Sequence, residues 1–260
     1  MRRALAFLTP FGGAAAPSPA TLDWFPVVGG AIGLAVGAVW WLAGRAWPPA
    51  AAAGIALAAD AALTGYLHLD GLADAGDGLL APMARERRLE VMADPAVGAF
   101  GAVTVFVVLI LRYGAFASTA AAPLVVGALW CGSRAAMAVV ARCLRYARPG
   151  GLATAFVEAS PGEADQAGPD DGGAEGVAVV LPRSIAGAVV PGVVGATLAV
   201  GMAVAGRGAH GLAALAAEVV AIAAVVVFAH RRIGGFTGDV LGAAGVVGET
   251  IGLLVLAAKW

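Results

Sequence analysis

Charge is what this chain has least of. Only 13% of its 260 residues are Asp, Glu, Lys or Arg, while 60% are hydrophobic, and a soluble domain carries roughly a quarter charged residues. That scarcity, with a mean hydropathy of +0.88, excludes a soluble globular domain and indicates a polytopic membrane protein. There is no dense basic run and the net charge is −1, so nucleic acid is not an expected partner. The cysteines are two, Cys131 and Cys143. Their spacing matches no zinc or redox motif, which leaves reduced thiols. Met1-Arg2-Arg3 is followed by an apolar patch that ends at Thr9-Pro10 without a cleavage site, so the segment reads as mature protein rather than a signal peptide. No Walker pattern and no internal repeat occur.

What the chain has in quantity is apolar runs of spanning length. A membrane helix needs about 20 largely apolar residues, and such runs are expected at 26–44, 48–68, 98–117, 123–141, 183–206, 210–229 and 239–258. The expected fold is therefore all-α, a helical bundle of about seven membrane spans, six to eight, forming one domain over residues 1–260. Trp24, Trp40, Trp41, Trp47 and Trp260 mark the interfaces. Glycines at 238, 242, 245, 248 and 252 stripe the last span, a pattern that lets helices pack closely and makes a homo-oligomer feasible. With the N-terminus inside, the cytoplasmic side takes Arg2, Arg3, Arg85, Arg87, Arg88, Arg142, Arg145, Arg148, Arg183, Arg231 and Arg232. The outer side takes only Arg45, Arg207 and Lys259, as the positive-inside rule requires. Three polar segments, 70–94, 142–156 and 231–239, then converge on one face.

The densest chemistry lies in His68-Leu-Asp-Gly-Leu-Ala-Asp-Ala-Gly-Asp-Gly78. Asp70, Asp74 and Asp77 stand at i, i+4 and i+7, which on a helix puts them within about 60° of one another. Three stacked carboxylates at a membrane surface repel unless compensated, and a divalent cation held by oxygen ligands compensates them. Glycines at 71, 76 and 78 weaken a solvated helix and would let a ligand approach the backbone. A plain acidic helix end is the simpler alternative.

The other polar residues divide less sharply. Residues 82–97 read as a short amphipathic interfacial helix ending at Asp94-Pro95. Asp94 is either a cap for the third span or a further metal ligand. Asp60, Arg112, Arg134, Glu218 and Glu249 fall within spans, where ionisable groups face partners or polar cavities. Arg134 and Glu249 are the candidates for the cavity, Arg112 is expected to snorkel outward, and Asp60 and Glu218 to pair structurally. His68 either supports the first aspartate or sits wedged at the interface. In Arg231-Arg232-Ile-Gly-Gly-Phe-Thr-Gly-Asp239, two arginines beside a helix N-terminus opened by Thr237 and Asp239 make a phosphate site. A positive-inside anchor is the alternative there. The acidic, Gly/Pro-rich loop 158–176 reads as a flexible cytoplasmic linker.

Taken in order, these blocks resemble the cobalamin synthase family, the adenosylcobinamide-GDP ribazoletransferases. The resemblance starts at Ala4-Leu-Ala-Phe-Leu-Thr9 and Trp24-Phe-Pro-Val-Val-Gly-Gly-Ala-Ile-Gly33. It passes through His68–Gly78 and Asp94-Pro-Ala-Val-Gly-Ala-Phe-Gly101, and closes on Gly234-Gly-Phe-Thr-Gly-Asp-Val-Leu-Gly-Ala243 and Glu249. Leu8-Thr-Pro-Phe-Gly12 departs from the family's Leu-Thr-Arg-Ile-Pro, so no basic residue stands at that place. The resemblance implies a magnesium-dependent enzyme of the plasma membrane with its site toward the cytoplasm. Its partners would be small molecules and membrane lipid. It would join adenosylcobinamide-GDP to α-ribazole or its 5′-phosphate and release GMP. Asp70, Asp74 and Asp77, with Asp94 or Asp239, would hold magnesium and serve the chemistry. His68, Arg134, Arg231, Arg232, Thr237, Asp239 and Glu249 would meet substrate. Two other readings stand beside it. Asp74-Ala-Gly-Asp-Gly-Leu-Leu-Ala81 opens like a CDP-alcohol phosphotransferase signature, but Pro82 replaces its arginine and the later paired aspartates are missing. A small permease would place its charges near the midplane instead of one surface.

Overall fold

The computed structural model describes residues 1–148, 156 and 185–259. The loop 158–176, Arg183 and Trp260 lie outside the described residues. The described elements are helices: α1 (Arg2–Leu8), a 3-10 turn (Pro19–Trp24), α2 (Phe25–Ala46), α3 (Pro49–Thr64), α4 (Leu67–Leu80), α5 (Arg85–Val91), α6 (Ala99–Ser118), α7 (Pro123–Cys143), α8 (Ile185–Ile233) and α9 (Gly238–Ala257). Prolines open α2, α3 and α7, where the missing N–H costs nothing.

Five of the described helices are long and apolar enough to cross a membrane, and the bent α3–α4 pair passes the same test only when its two helices are taken together. One of the five, Gly187–Ile233, is 47 residues long, about 70 Å at 1.5 Å per residue, more than twice a hydrocarbon core. It does not run straight. Arg207 (φ −148°, ψ 18°) and Gly208 (φ 54°, ψ −126°) break the helix. A Cβ on Gly211 would strike the Ala203 carbonyl, so the arms 185–206 and 209–233 turn back on each other. The two expected spans at 183–206 and 210–229 are these arms.

The expected span 48–68 stops short. α3 ends at Thr64 because Gly65 (φ 58°) and then Tyr66 (φ 62°) both take left-handed conformations. For a tyrosine that is a costly backbone. The chain turns 91° there, and α4 lies across the N-terminal ends of α6 and α9, outside the spans. A Cβ at Gly71 would sit 3.0 Å from the Asp239 Cα, and one at Gly76 3.1 Å from the Gly101 Cα. The glycines expected to admit a ligand instead let α4 seat on two other helices.

α7 and α9 form the centre and are largely buried, whereas α6 is mostly exposed. The α9 glycine stripe is packing, as expected. Gly242 faces the His68 backbone, Gly245 Met137, Gly248 Ile222, and Gly252 Leu129 and the Ala214 carbonyl. With no hydrophobic drive between helices in lipid, such close approach is what holds them together.

Buried polar groups tie the same helices. Arg112 on α6 is 1% exposed. It donates to Asp60 on α3 at 2.6 Å, to Glu249 on α9 at 2.9 Å, and to Thr250 and the Val246 carbonyl. The expected snorkelling does not occur, because Asp60 and Glu249 supply counter-charge inside the bundle. Trp130 on α7 donates to the other Asp60 oxygen at 2.9 Å, and Arg134 and Ser133 both reach Glu249. Trp40, expected at the interface, is 3% exposed and meets Phe116 edge-on at 4.8 Å.

Candidate active site

The N-terminal ends of α6 and α9, the C-terminal end of α7 and helices α4 and α5 meet at one end of the bundle. Two devices hold α4 there. At its C-terminus, the buried Arg88 of α5 donates from one nitrogen to the Gly78, Leu79 and Ala81 carbonyls at 2.8–3.0 Å, satisfying orphan carbonyls of the last turn. On its α6 side, Asp77 accepts the Gly98 N–H at 2.7 Å and the Gly101 N–H at 2.9 Å. Asp77 is therefore the N-terminal cap of α6, supplied from 21 residues upstream. Asp94 does not cap α6; it accepts the Ala96 N–H at 2.9 Å within its own loop.

The three aspartates of α4 consequently differ. Asp77 is buried with both oxygens engaged; Asp74 is half-buried and Asp70 exposed. The α9 start brings in Asp239, whose backbone lies against Gly71. Burial, reinforced by the Asp239 and Asp70 carboxylates, pushes the Asp74 carboxyl up to about 7, against a lowering influence from Arg148. Asp70, Asp74 and Asp239 thus share one acidic locus.

Arg148 was not singled out in the sequence. Its guanidinium pairs with Asp239 at 3.3 Å and donates to the Met92 carbonyl at 3.3 Å. The backbone beside it is pinned: the Ala147 N–H donates to the Phe236 carbonyl at 2.8 Å, and the Phe236 N–H to the Arg145 carbonyl at 3.0 Å. A Cβ on Gly235 would strike that Arg145 carbonyl, which explains one glycine of the Gly-Gly-Phe-Thr-Gly-Asp run. Thr237 caps α9, accepting the Val240 N–H at 3.2 Å and donating to Asp239 at 3.2 Å. The signal for Arg148 lay in the expected convergence of 142–156 with the other polar segments, but nothing local distinguished it from its neighbours.

The remaining expected residues fall elsewhere. Arg231 and Arg232 are exposed at the end of α8, and Arg232 lies over the Phe228 ring at 5.0 Å. Arg134 and Glu249 are each 1% exposed and bonded to each other within the bundle, not in an open cavity. His68 is buried, packed by its backbone against Gly242, with no described partner for Nδ1. Asp60 pairs with Arg112 and Trp130, not with Glu218, whose oxygens have no described partner.

Among the described residues no three His, Cys, Asp or Glu side chains are placed to enclose a metal ion. Magnesium, however, commonly uses one or two carboxylates, keeps several waters and takes the rest of its shell from substrate phosphate. An open patch of hard oxygen donors, Asp70, Asp74 and Asp239, fits that mode and not a closed cage.

The fold and this end together define a polytopic membrane protein with an acidic cluster at one end of the bundle and Arg148 paired to it. The comparisons with known proteins narrow it further. The family model described as cobalamin-5-phosphate synthase matches residues 1–257. A relative from Bradyrhizobium diazoefficiens named adenosylcobinamide-GDP ribazoletransferase is 37% identical over 237 residues, 90% of this chain and 81% of its own. Relatives of the same name from Chlorobaculum tepidum (36% over 250 residues, 92% and 86%) and Citrobacter koseri (33% over 242 residues, 89% and 85%) are similar to it. No solved structure matches. The chain belongs to the cobalamin synthase family of transferases.

Proposed function

We propose that this enzyme transfers the cobinamide-phosphate moiety of adenosylcobinamide-GDP to α-ribazole or its 5′-phosphate and releases GMP. The relatives' shared name supports the substrates. The observation that carries the site is the seating of α4 on α9, which sets Asp70 and Asp74 beside Asp239 and Arg148.

A ribose hydroxyl of the acceptor attacks the phosphorus that bears the cobinamide, and the bond from that phosphorus to the GMP oxygen breaks. The hydroxyl proton passes to a carboxylate of the acidic locus, within reach of the incoming oxygen. The N-terminus of α9 offers backbone N–H groups and a positive dipole end to phosphate oxygens. Magnesium bound at Asp70, Asp74 and Asp239 would neutralise charge on the diphosphate and on departing GMP. Asp77 and Asp94, first assigned to the same ion, are already used by backbone N–H groups. In this reading Asp77 positions α4.

The site end carries Arg2, Arg3, Arg85, Arg87, Arg88, Arg142, Arg145, Arg148, Arg231 and Arg232, the far end Arg45, Arg207 and Lys259. That asymmetry supports a plasma-membrane protein whose site faces the cytoplasm. The test is GMP release by the purified protein in lipid, given adenosylcobinamide-GDP and α-ribazole 5′-phosphate, with magnesium or with EDTA. Magnesium-dependent GMP and an equal amount of joined corrinoid are expected. If folded protein forms no product, the assignment is wrong.

A further inference from the structure

We infer that Arg148 is a donor-binding residue, the guanidinium that grips the diphosphate of the nucleotide-activated substrate, and that its ion pair with Asp239 is a resting contact. This rests on the transfer reaction proposed above.

The locus of Asp70, Asp74 and Asp239 is hostile to an incoming diphosphate, which carries charge of the same sign. A cationic side chain among the acids would share with the proposed magnesium the work of countering that repulsion. Most described arginines at this end are committed elsewhere. Arg88 serves the α4 carbonyls, Arg85 donates to the Ile233 carbonyl at 3.0 Å, and Arg87 pairs with Glu90. Arg142 holds Asp23 at 2.8 Å together with the Pro19 and Gly187 carbonyls. Arg232 covers Phe228. Arg148 is the guanidinium whose charge reaches both Asp74 and Asp239.

Its contacts are also loose. Both stand at 3.3 Å, whereas charge-assisted N–H···O bonds close to about 2.7–2.9 Å. The backbone next to it is fixed by the Ala147–Phe236 and Phe236–Arg145 hydrogen bonds, so the side chain can exchange partners without moving the chain. A phosphate arriving at the α9 N-terminus would offer the planar fork two oxygens in a geometry that a single oxygen of Asp239 does not. The exchange would free the Asp239 carboxylate at the moment the diphosphate is held.

The experiment uses the full-length protein in lipid with GDP as the probe, measured both by direct binding and by competitive inhibition of turnover. Arg148→Ala is expected to weaken GDP binding and raise the donor KM by at least about tenfold, while the acceptor KM stays put. Guanidinium chloride at low millimolar concentration should restore part of the loss, and Arg148→Lys should recover less than the guanidinium fork provides. Arg87→Ala, altered at an exposed position paired with Glu90, should bind GDP as the unaltered protein does. A folded Arg148→Ala protein with unchanged GDP affinity would overturn the inference. So would a loss affecting kcat alone with no rescue, which is what a purely structural arginine would give. Should the unaltered protein bind GDP through Arg148 yet fail to turn over the activated corrinoid, the proposed reaction falls and the diphosphate grip stands.

Discussion

Asp77 and Asp70 lie two helical turns apart on α4, yet substitution should separate them completely. Asp77 is 7% exposed and accepts two backbone N–H groups of α6 at 2.7 and 2.9 Å. Hydrogen bonds to a charged group contribute about 1.5–3 kcal/mol each, and loss of a helix cap costs about 0.5–2 kcal/mol. The two bonds share one carboxylate and do not simply add, so Asp77→Ala should cost about 2–4 kcal/mol. Asp77→Asn keeps one acceptor but turns an NH2 toward the second N–H, and should cost about 1–2 kcal/mol. Asp70 is exposed with no described hydrogen bond from its side chain, and Asp70→Asn should fall within about 0.5 kcal/mol of the unaltered protein. Thermal unfolding in detergent, followed by retention of a monodisperse species, reads the stability. GMP release at low temperature reads function in the fraction still folded. The expected pattern is crossed, with Asp77→Ala unstable and Asp70→Asn stable but impaired in turnover. If Asp77→Ala is as stable as Asp70→Asn, the capping role is refuted and Asp77 returns to the chemistry.

Three further outcomes follow from the same geometry. Glu249→Gln strips the charge that faces Arg112 and Arg134 inside the bundle, and breaking such a buried set costs about 3–5 kcal/mol; expression in the membrane and thermal unfolding should both fall, with the donor KM of any surviving enzyme unchanged. Gly71→Val forces a side chain against the Asp239 backbone, and a displacement of about 1 Å at a reacting site costs on the order of 100-fold; turnover of the folded fraction should drop by that order, with a stability loss of about 1–3 kcal/mol from overpacking. EDTA should abolish GMP release and leave the unfolding temperature within a few degrees, since the described acids form no enclosed metal cage.

The spans were legible because bilayer thickness writes itself into sequence as apolar length. The ends of α2, α6, α7 and α9 fall within two residues of the expected positions. The hairpin inside Ile185–Ile233 was legible too, since Arg207 and Gly208 interrupt an otherwise apolar run. The 91° turn after α3 was not, because Tyr66 gives no local hint of a left-handed backbone. At the site, i, i+4, i+7 spacing correctly put three aspartates on one helix, but spacing says nothing about what lies opposite each one. Asp77 met α6, Asp74 met Asp239, and Asp70 met solvent. The same blindness to partners left Arg148, which pairs with Asp239, undistinguished from its neighbours, and sent Arg134 and Glu249 to a cavity when they belong to an ion-pair network joining α6, α7 and α9.

Asp74→Asn, assayed beside the unaltered protein for GMP release in lipid, bears most directly on the placement of chemistry at the α4–α9 junction. Asp74 is half-buried, sits among Asp70, Asp239 and Arg148, and makes no described structural hydrogen bond. The variant should insert and unfold like the unaltered protein while releasing no measurable GMP. Near-normal turnover from folded Asp74→Asn protein would contradict the site altogether.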